Sequence, residues 1–140
     1  MTTDFDRFVD DLQQQIIEQA RAVYSDKVIE AFYNPKNMGP MPEPDAYGVV
    51  HGWCGDTMEI YLRLNGERIE HACFITDGCG PTVACGSTLT TMMCGMSLEE
   101  ASTITPEDLI TALDGLPEES AHCAELAVST LREAIASRLS

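Results

Sequence analysis

The side chains best suited to chemistry in this sequence are cysteines, and three of them sit where the chain changes direction. Cys54 lies in Gly52-Trp53-Cys54-Gly55-Asp56, Cys79 in Asp77-Gly78-Cys79-Gly80-Pro81, and Cys123 directly after His122. Flanking glycines let a backbone curl closely around a bulky ligand. A helix N-terminus, which Cys79 and Cys123 both approach, favours thiolate over thiol and lowers a cysteine pKa from about 8.5. Three thiols from three distant junctions, none inside an apolar stripe, predict one shared site for metal or sulfur chemistry. Asp56 adds a hard oxygen donor. Three thiolates with one carboxylate would form a soft, tightly holding part and one weakly held corner, an arrangement suited to release. His122 alone reads equally as a polar surface residue, and its adjacency to Cys123 brings it in as a ligand candidate. The plainer role for Asp56 is to cap the turn after Cys54.

The other three cysteines, Cys73, Cys85 and Cys94, read as small buried hydrophobes. Cys85 shares a helical face with Leu89 and Met92. No Cys-x-x-Cys pair of the kind that marks a structural zinc site is present. The sequence opens Met-Thr-Thr-Asp-Phe-Asp, acidic where secretory and mitochondrial leaders are basic. The expectation is therefore a cytoplasmic chain whose thiols are kept reduced and whose six cysteines do not form a disulfide framework.

Bulk properties narrow the partners. A length of 140 residues suits one domain with one core. Eight basic against 23 acidic residues give a formal charge of -15, which repels a phosphate backbone and excludes nucleic acid as a partner. Such acidity confers solubility, and its alternative use is to meet a basic partner protein. No apolar run approaches the roughly 20 residues that span a bilayer, so no membrane association is expected.

The elements that must position the cysteines follow from periodicity. Phe5, Phe8, Val9, Leu12, Ile16 and Ala20 recur at three- and four-residue steps, the stripe of an amphipathic helix over residues 1–23. This extension is expected to pack on the rest of the chain, with self-association into a homo-oligomer as the alternative. Ser25 caps a second helix carrying Val28, Ile29 and Phe32, which stops before Asn34-Pro35. A proline- and glycine-rich loop runs from Pro35 to Pro44. Strands are predicted over Tyr47–His51, Met58–Leu64 and Ile69–Thr76, the last two joined through Asn65-Gly66, a hairpin signal. Pro81 opens a helix to about Gly95. Ser97 and Glu100 form a capping box for a short helix, and Thr105-Pro106-Glu107 opens another through about Asp114. Leu126, Leu131, Ile135 and Leu139 mark a last helix beginning between Pro117 and His122. Strands first and helices afterwards give an α+β class, a small three-stranded antiparallel sheet covered by helices with an extra N-terminal helix.

Residues 24–140 resemble the IscU/NifU-type iron-sulfur cluster scaffold family. The residues carrying the resemblance are Asn34-Pro35-Lys36-Asn37-Met38-Gly39, Cys54-Gly55-Asp56, Gly78-Cys79-Gly80, Leu116-Pro117 and His122-Cys123. It implies a three-stranded sheet covered by helices, in agreement with the reading above. It implies a [2Fe-2S] cluster held transiently by Cys54, Cys79 and Cys123, with Asp56 and His122 exchanging as the fourth group. It also implies sulfur arriving as persulfide from a cysteine desulfurase, addition of iron, and transfer of the cluster to apo iron-sulfur proteins. The chain would be a carrier and not an enzyme, and zinc could occupy the same ligands in purified protein.

Four features depart from the family pattern. The helix over residues 1–23 precedes the usual family start, and Gly52-Trp53 replaces the alanine-proline-alanine often found before the first ligand. The Leu-Pro-Pro-Val-Lys segment that docks an Hsp70-type chaperone is replaced by Leu116-Pro117-Glu118-Glu119-Ser120, which argues against such a chaperone as a partner. The sequence ends at Ser140 without the further domains of longer NifU proteins, as expected of a stand-alone scaffold. The separation of 44 residues between Cys79 and Cys123, with His122 present, argues against the SufU branch.

Two other functions use the same cysteines. In a sulfur relay one thiolate, Cys123, accepts sulfur and zinc only holds or regulates the site. In a zinc-stabilised interaction domain, folding depends on metal and no cluster forms. The carrier needs all three cysteines, whereas the relay needs one.

Overall fold

The computed structural model describes residues 3–53, 55–78 and 80–139, apart from the side chains of Ile17 and Leu139. Its centre is an antiparallel sheet of β1 (Ala46–His51), β2 (Thr57–Asn65) and β3 (Arg68–Thr76) in that order. Strict alternation on β2 sends Met58, Ile60 and Leu62 inward, all fully buried, while Glu59, Tyr61 and Arg63 face outward. β3 breaks the alternation: Ile69 and Ala72 are both buried because the register shifts opposite Arg63 and Leu64 and admits one extra residue. The hairpin turn falls on Gly66-Glu67, one residue later than expected, with Asn65 paired to Arg68 and Gly66 at φ 64°.

Helices cover the inner face. α3 (Pro81–Met93) lies along β3, and α6 (Ala121–Leu139) crosses β1 and β2. The approach of α6 requires glycine at position 48, where a Cβ would stand 2.4 Å from the backbone nitrogen of Ala134. α2 (Asp26–Tyr33) packs on α3 and is capped by the Ser25 hydroxyl, which accepts from Val28 N–H. α4 (Leu98–Ser102) and α5 (Pro106–Ala112) each begin with a capping box, at Ser97 with Glu100 and at Thr105 with Asp108.

α1 (Asp4–Arg21) forms as its periodicity predicts and is started by a Thr3/Asp6 capping box. Its stripe does not pack on the domain, contrary to the sequence expectation. Phe5 and Phe8 are 72% and 63% exposed, and Leu12 and Ile16 are exposed as well. The inner sheet face is already filled by α3 and α6, and the C-terminal end of α1 lies beside α2, where Ala20 and Tyr24 border a small cavity with Val28, Ile29 and Phe32.

Candidate functional site

The turn between β1 and β2 closes when Gly52 N–H donates to the Asp56 carbonyl (2.7 Å) and Gly55 N–H to the Gly52 carbonyl (3.0 Å). Gly55 sits at φ 99°, a conformation glycine adopts without penalty. This turn is stitched to the segment that follows β3. Thr57 N–H donates to Asp77 Oδ1 (2.7 Å), the Thr76 hydroxyl to the Thr57 carbonyl (2.6 Å), and Gly78 N–H to Thr76 Oγ1 (3.1 Å). The chain on either side of Cys54 is thereby held against the chain leading to Cys79. Both cysteines themselves lie outside the described residues.

The centre of the described part is Thr82, in the first turn of α3. Its Oγ1 is 3.0 Å from Asp56 Oδ2 and 3.2 Å from Cys123 Sγ, and the residue is 1% exposed. Cys123 is buried in the first turn of α6. Gly78 completes this corner, since a Cβ there would stand 2.8 Å from both Asp56 Oδ2 and the Thr82 side chain. His122 Nε2 is 3.7 Å from Cys123 Sγ, and its ring packs 5.5 Å from that of Trp53. Trp53 is itself 84% exposed, and a cavity of about 190 Å³ bordered by His51, Gly52, Trp53, His122 and Glu125 opens beside it.

Asp56, His122 and Cys123 thus share one neighbourhood. Among the described residues no three histidine, cysteine, aspartate or glutamate side chains gather closely enough to hold a metal ion. A metal centre at this place therefore needs Cys54 or Cys79. The donor types suit such a centre: thiolates hold soft metal-sulfur units, and Asp56 supplies the harder oxygen.

The remaining cysteines divide. Cys85 is fully buried, as expected, and burial, reinforced by the neighbouring Cys123, pushes its thiol well above the ordinary range. Cys73 and Cys94 are not core residues. Strand alternation turns Cys73 to the outer face, opposite Phe74, where its half-buried Sγ lies 3.3 Å from His71 Nε2. Cys94 ends α3 and is exposed, with its Sγ donating to the Thr90 carbonyl (3.2 Å). Residues 118–120 form a single 3-10 turn in which Ser120 is buried and its N–H donates to the Pro117 carbonyl (2.9 Å), while Glu118 and Glu119 are exposed.

Sequence reasoning missed Thr82. The signal was its place three residues after Cys79, in the first turn opened by Pro81, where a hydroxyl naturally points back toward the preceding loop.

The family model for the NifU-like N-terminal domain matches residues 23–138. The iron-sulfur cluster assembly scaffold protein IscU 1 of Archaeoglobus fulgidus is 43% identical over 114 residues, covering 81% of this chain and 74% of the relative. The scaffold protein IscU of Aquifex aeolicus is 36% identical over 115 residues, covering 80% and 73%. Among solved structures, a nitrogen-fixing NifU-like protein (N-terminal) from Brucella abortus aligns with a TM-score of 0.68 at 19% identity. That alignment covers 84% of this chain and 94% of the other, and it carries the fold alone. Among the described residues no helix is long and apolar enough to cross a membrane.

Proposed function

Because this chain belongs to the NifU-like N-terminal domain family, we propose that it is a scaffold on which a [2Fe-2S] cluster is assembled by Cys54, Asp56, Cys79 and Cys123 and from which the cluster passes to apo iron-sulfur proteins. The observation that carries this reading is the meeting of Asp56 and Cys123 at the Thr82 hydroxyl, beside the glycine-bounded chain on both sides of Cys54 and Cys79. Iron and sulfur are the cargo and the protein supplies ligands, so no substrate is turned over.

Assembly begins when a thiolate attacks the outer sulfur of a persulfide on a cysteine desulfurase. A new S–S bond forms to that sulfur, and the donor cysteine leaves as thiolate. Iron then joins, with a reductant supplying two electrons for each sulfur brought to sulfide. Asp56 is the exchangeable ligand, and His122, one residue from Cys123, replaces it when it leaves. Zinc competes well for thiolates and occupies the same ligands in protein purified in air. The burial of Cys123 counts against a relay in which that thiol alone meets a donor protein.

Anaerobic reconstitution with iron and sulfide tests the reading. The native chain is expected to develop the visible absorption of a [2Fe-2S] cluster and to transfer it to an apo-ferredoxin. Cys54→Ser, Cys79→Ser and Cys123→Ser should each abolish stable assembly. Loss in only one of the three would favour the relay.

The acidic turn after Leu116-Pro117 leads to a companion proposal, that Hsp70-type chaperones do not handle this scaffold. The expected outcome is no stimulation of such a chaperone's ATPase. Strong stimulation, lost when residues 116–120 are scrambled, would overturn it.

A further inference from the structure

We infer that Thr82 is a positioning residue that loosens the hold of Asp56 on the cluster and so sets how fast the cluster is handed on. The inference rests on the reading above that Asp56 is the exchangeable ligand. A threonine hydroxyl carries one proton, and here it faces two acceptors, Asp56 Oδ2 at 3.0 Å and Cys123 Sγ at 3.2 Å. It can donate to only one of them at a time. Thr82 is 1% exposed, so water does not compete for that proton, and the chain at Gly78 passes so close that a Cβ there would stand 2.8 Å from the Thr82 side chain.

The proton's preference depends on what Cys123 is doing. The single sulfur of a thiolate bound to iron shares its charge with the metal and becomes a poorer acceptor, whereas a carboxylate bound through one oxygen keeps the other free to accept, so the proton settles on Asp56 Oδ2 when the cluster is in place. A charge-assisted hydrogen bond to a carboxylate oxygen draws electron density from it and occupies a lone pair. Asp56 is then left to bind weakly through its other oxygen. The corner that must open for release is thus weakened in the loaded state, while the thiolate ligands keep their hold.

Thr82→Val preserves shape and removes the proton, and Thr82→Ser keeps the proton. In Thr82→Val, Asp56 should bind more firmly. The expected result is a cluster that persists longer and transfers to apo-ferredoxin about tenfold more slowly, the effect of one hydrogen bond to a charged group. Thr82→Ser should transfer at the native rate. Asp56→Ala alone should also slow transfer, because the exchanging group is gone, and adding Thr82→Val to it should change nothing further.

A second readout needs no cluster. Zinc affinity of the apo chain, measured by competition with a chromophoric chelator, should rise in Thr82→Val and stay unchanged in Thr82→Ser. If Thr82→Val does not fold, Thr82→Ala carries the same expectations. A native transfer rate in Thr82→Val, equal slowing in Thr82→Ser, or an undiminished Thr82→Val effect on top of Asp56→Ala would each overturn the inference. Failure of the native chain to assemble any cluster would instead sink the scaffold reading, and the zinc measurement would still decide whether Thr82 governs Asp56.

Discussion

α1 and α6 are nearly equal in length, 18 and 19 residues, yet they stand in opposite relations to the rest of the molecule. α6 buries Cys123, Ala124, Leu126, Ala127, Val128, Leu131, Ala134 and Ile135 against the sheet and its neighbouring helices. α1 turns Phe5, Phe8, Leu12 and Ile16 to solvent. The clean stripe belongs to the exposed helix, whereas the buried one is apolar on several sides. Periodicity reports that a helix has two faces, but the space left by the other elements decides whether a face is covered. Cys123 is held by a helix that buries residues against both the sheet and neighbouring helices.

The largest effect should come from separating α6 from the sheet. Gly48→Ala places a Cβ 2.4 Å from Ala134 N and 2.7 Å from the Thr130 carbonyl, and backbone cannot swing aside as a side chain would. The expected loss is above about 4 kcal/mol, measured by urea unfolding. A loss below about 1 kcal/mol would mean that α6 does not lie on β1 as described. Leu131→Ala, which removes a fully buried side chain, should lose about 2–5 kcal/mol by the same measurement.

At the other end, Phe8→Ala in α1 should change stability by no more than about 0.5 kcal/mol, the ordinary range for an exposed position. A loss as large as that of Leu131→Ala would show that α1 is packed in solution and would erase the contrast.

The smallest effect concerns the outer sheet face. The Tyr47 hydroxyl donates to the Glu59 carboxylate, and this bond, with some burial, pushes the Tyr47 pKa up to about 12. A raised value means that the folded chain holds this proton more firmly than the unfolded chain, whose tyrosine ionises near 10. The contribution is therefore complete below about pH 10 and is lost as pH rises toward 12. Tyr47→Phe should flatten the decline in stability over that window, and an unchanged slope would mean the bond is absent in solution.

Much of this architecture could be read before any coordinates. The β2 pattern from Met58 to Leu64, the caps at Ser25, Ser97 and Thr105, and the proline opening α3 are local signals, and local chemistry decides them. The hairpin turn was misplaced by one residue because the register shift opposite Arg63 and Leu64 is a cross-strand event. The surroundings of Cys73 and Cys94 were misjudged for a related reason: strand phase and a helix end override the average tendency of cysteine to be buried. At the candidate site, the residue types of Asp56, His122 and Cys123 suggested a shared neighbourhood, and folding brings the three close together. Thr82 was not, because its importance comes from two neighbours, 26 and 41 positions away in sequence, that only folding brings to it.

Anomalous iron scattering from crystals of the anaerobically reconstituted chain would locate a cluster held by Cys54, Asp56, Cys79 and Cys123. The expected result is paired iron peaks with the Sγ atoms of Cys54, Cys79 and Cys123 at about 2.3 Å, the usual metal-thiolate length, and an Asp56 carboxylate oxygen completing the shell. Iron bound elsewhere, for instance at the His71 and Cys73 pair on the outer sheet face, with those three sulfurs unliganded, would contradict it.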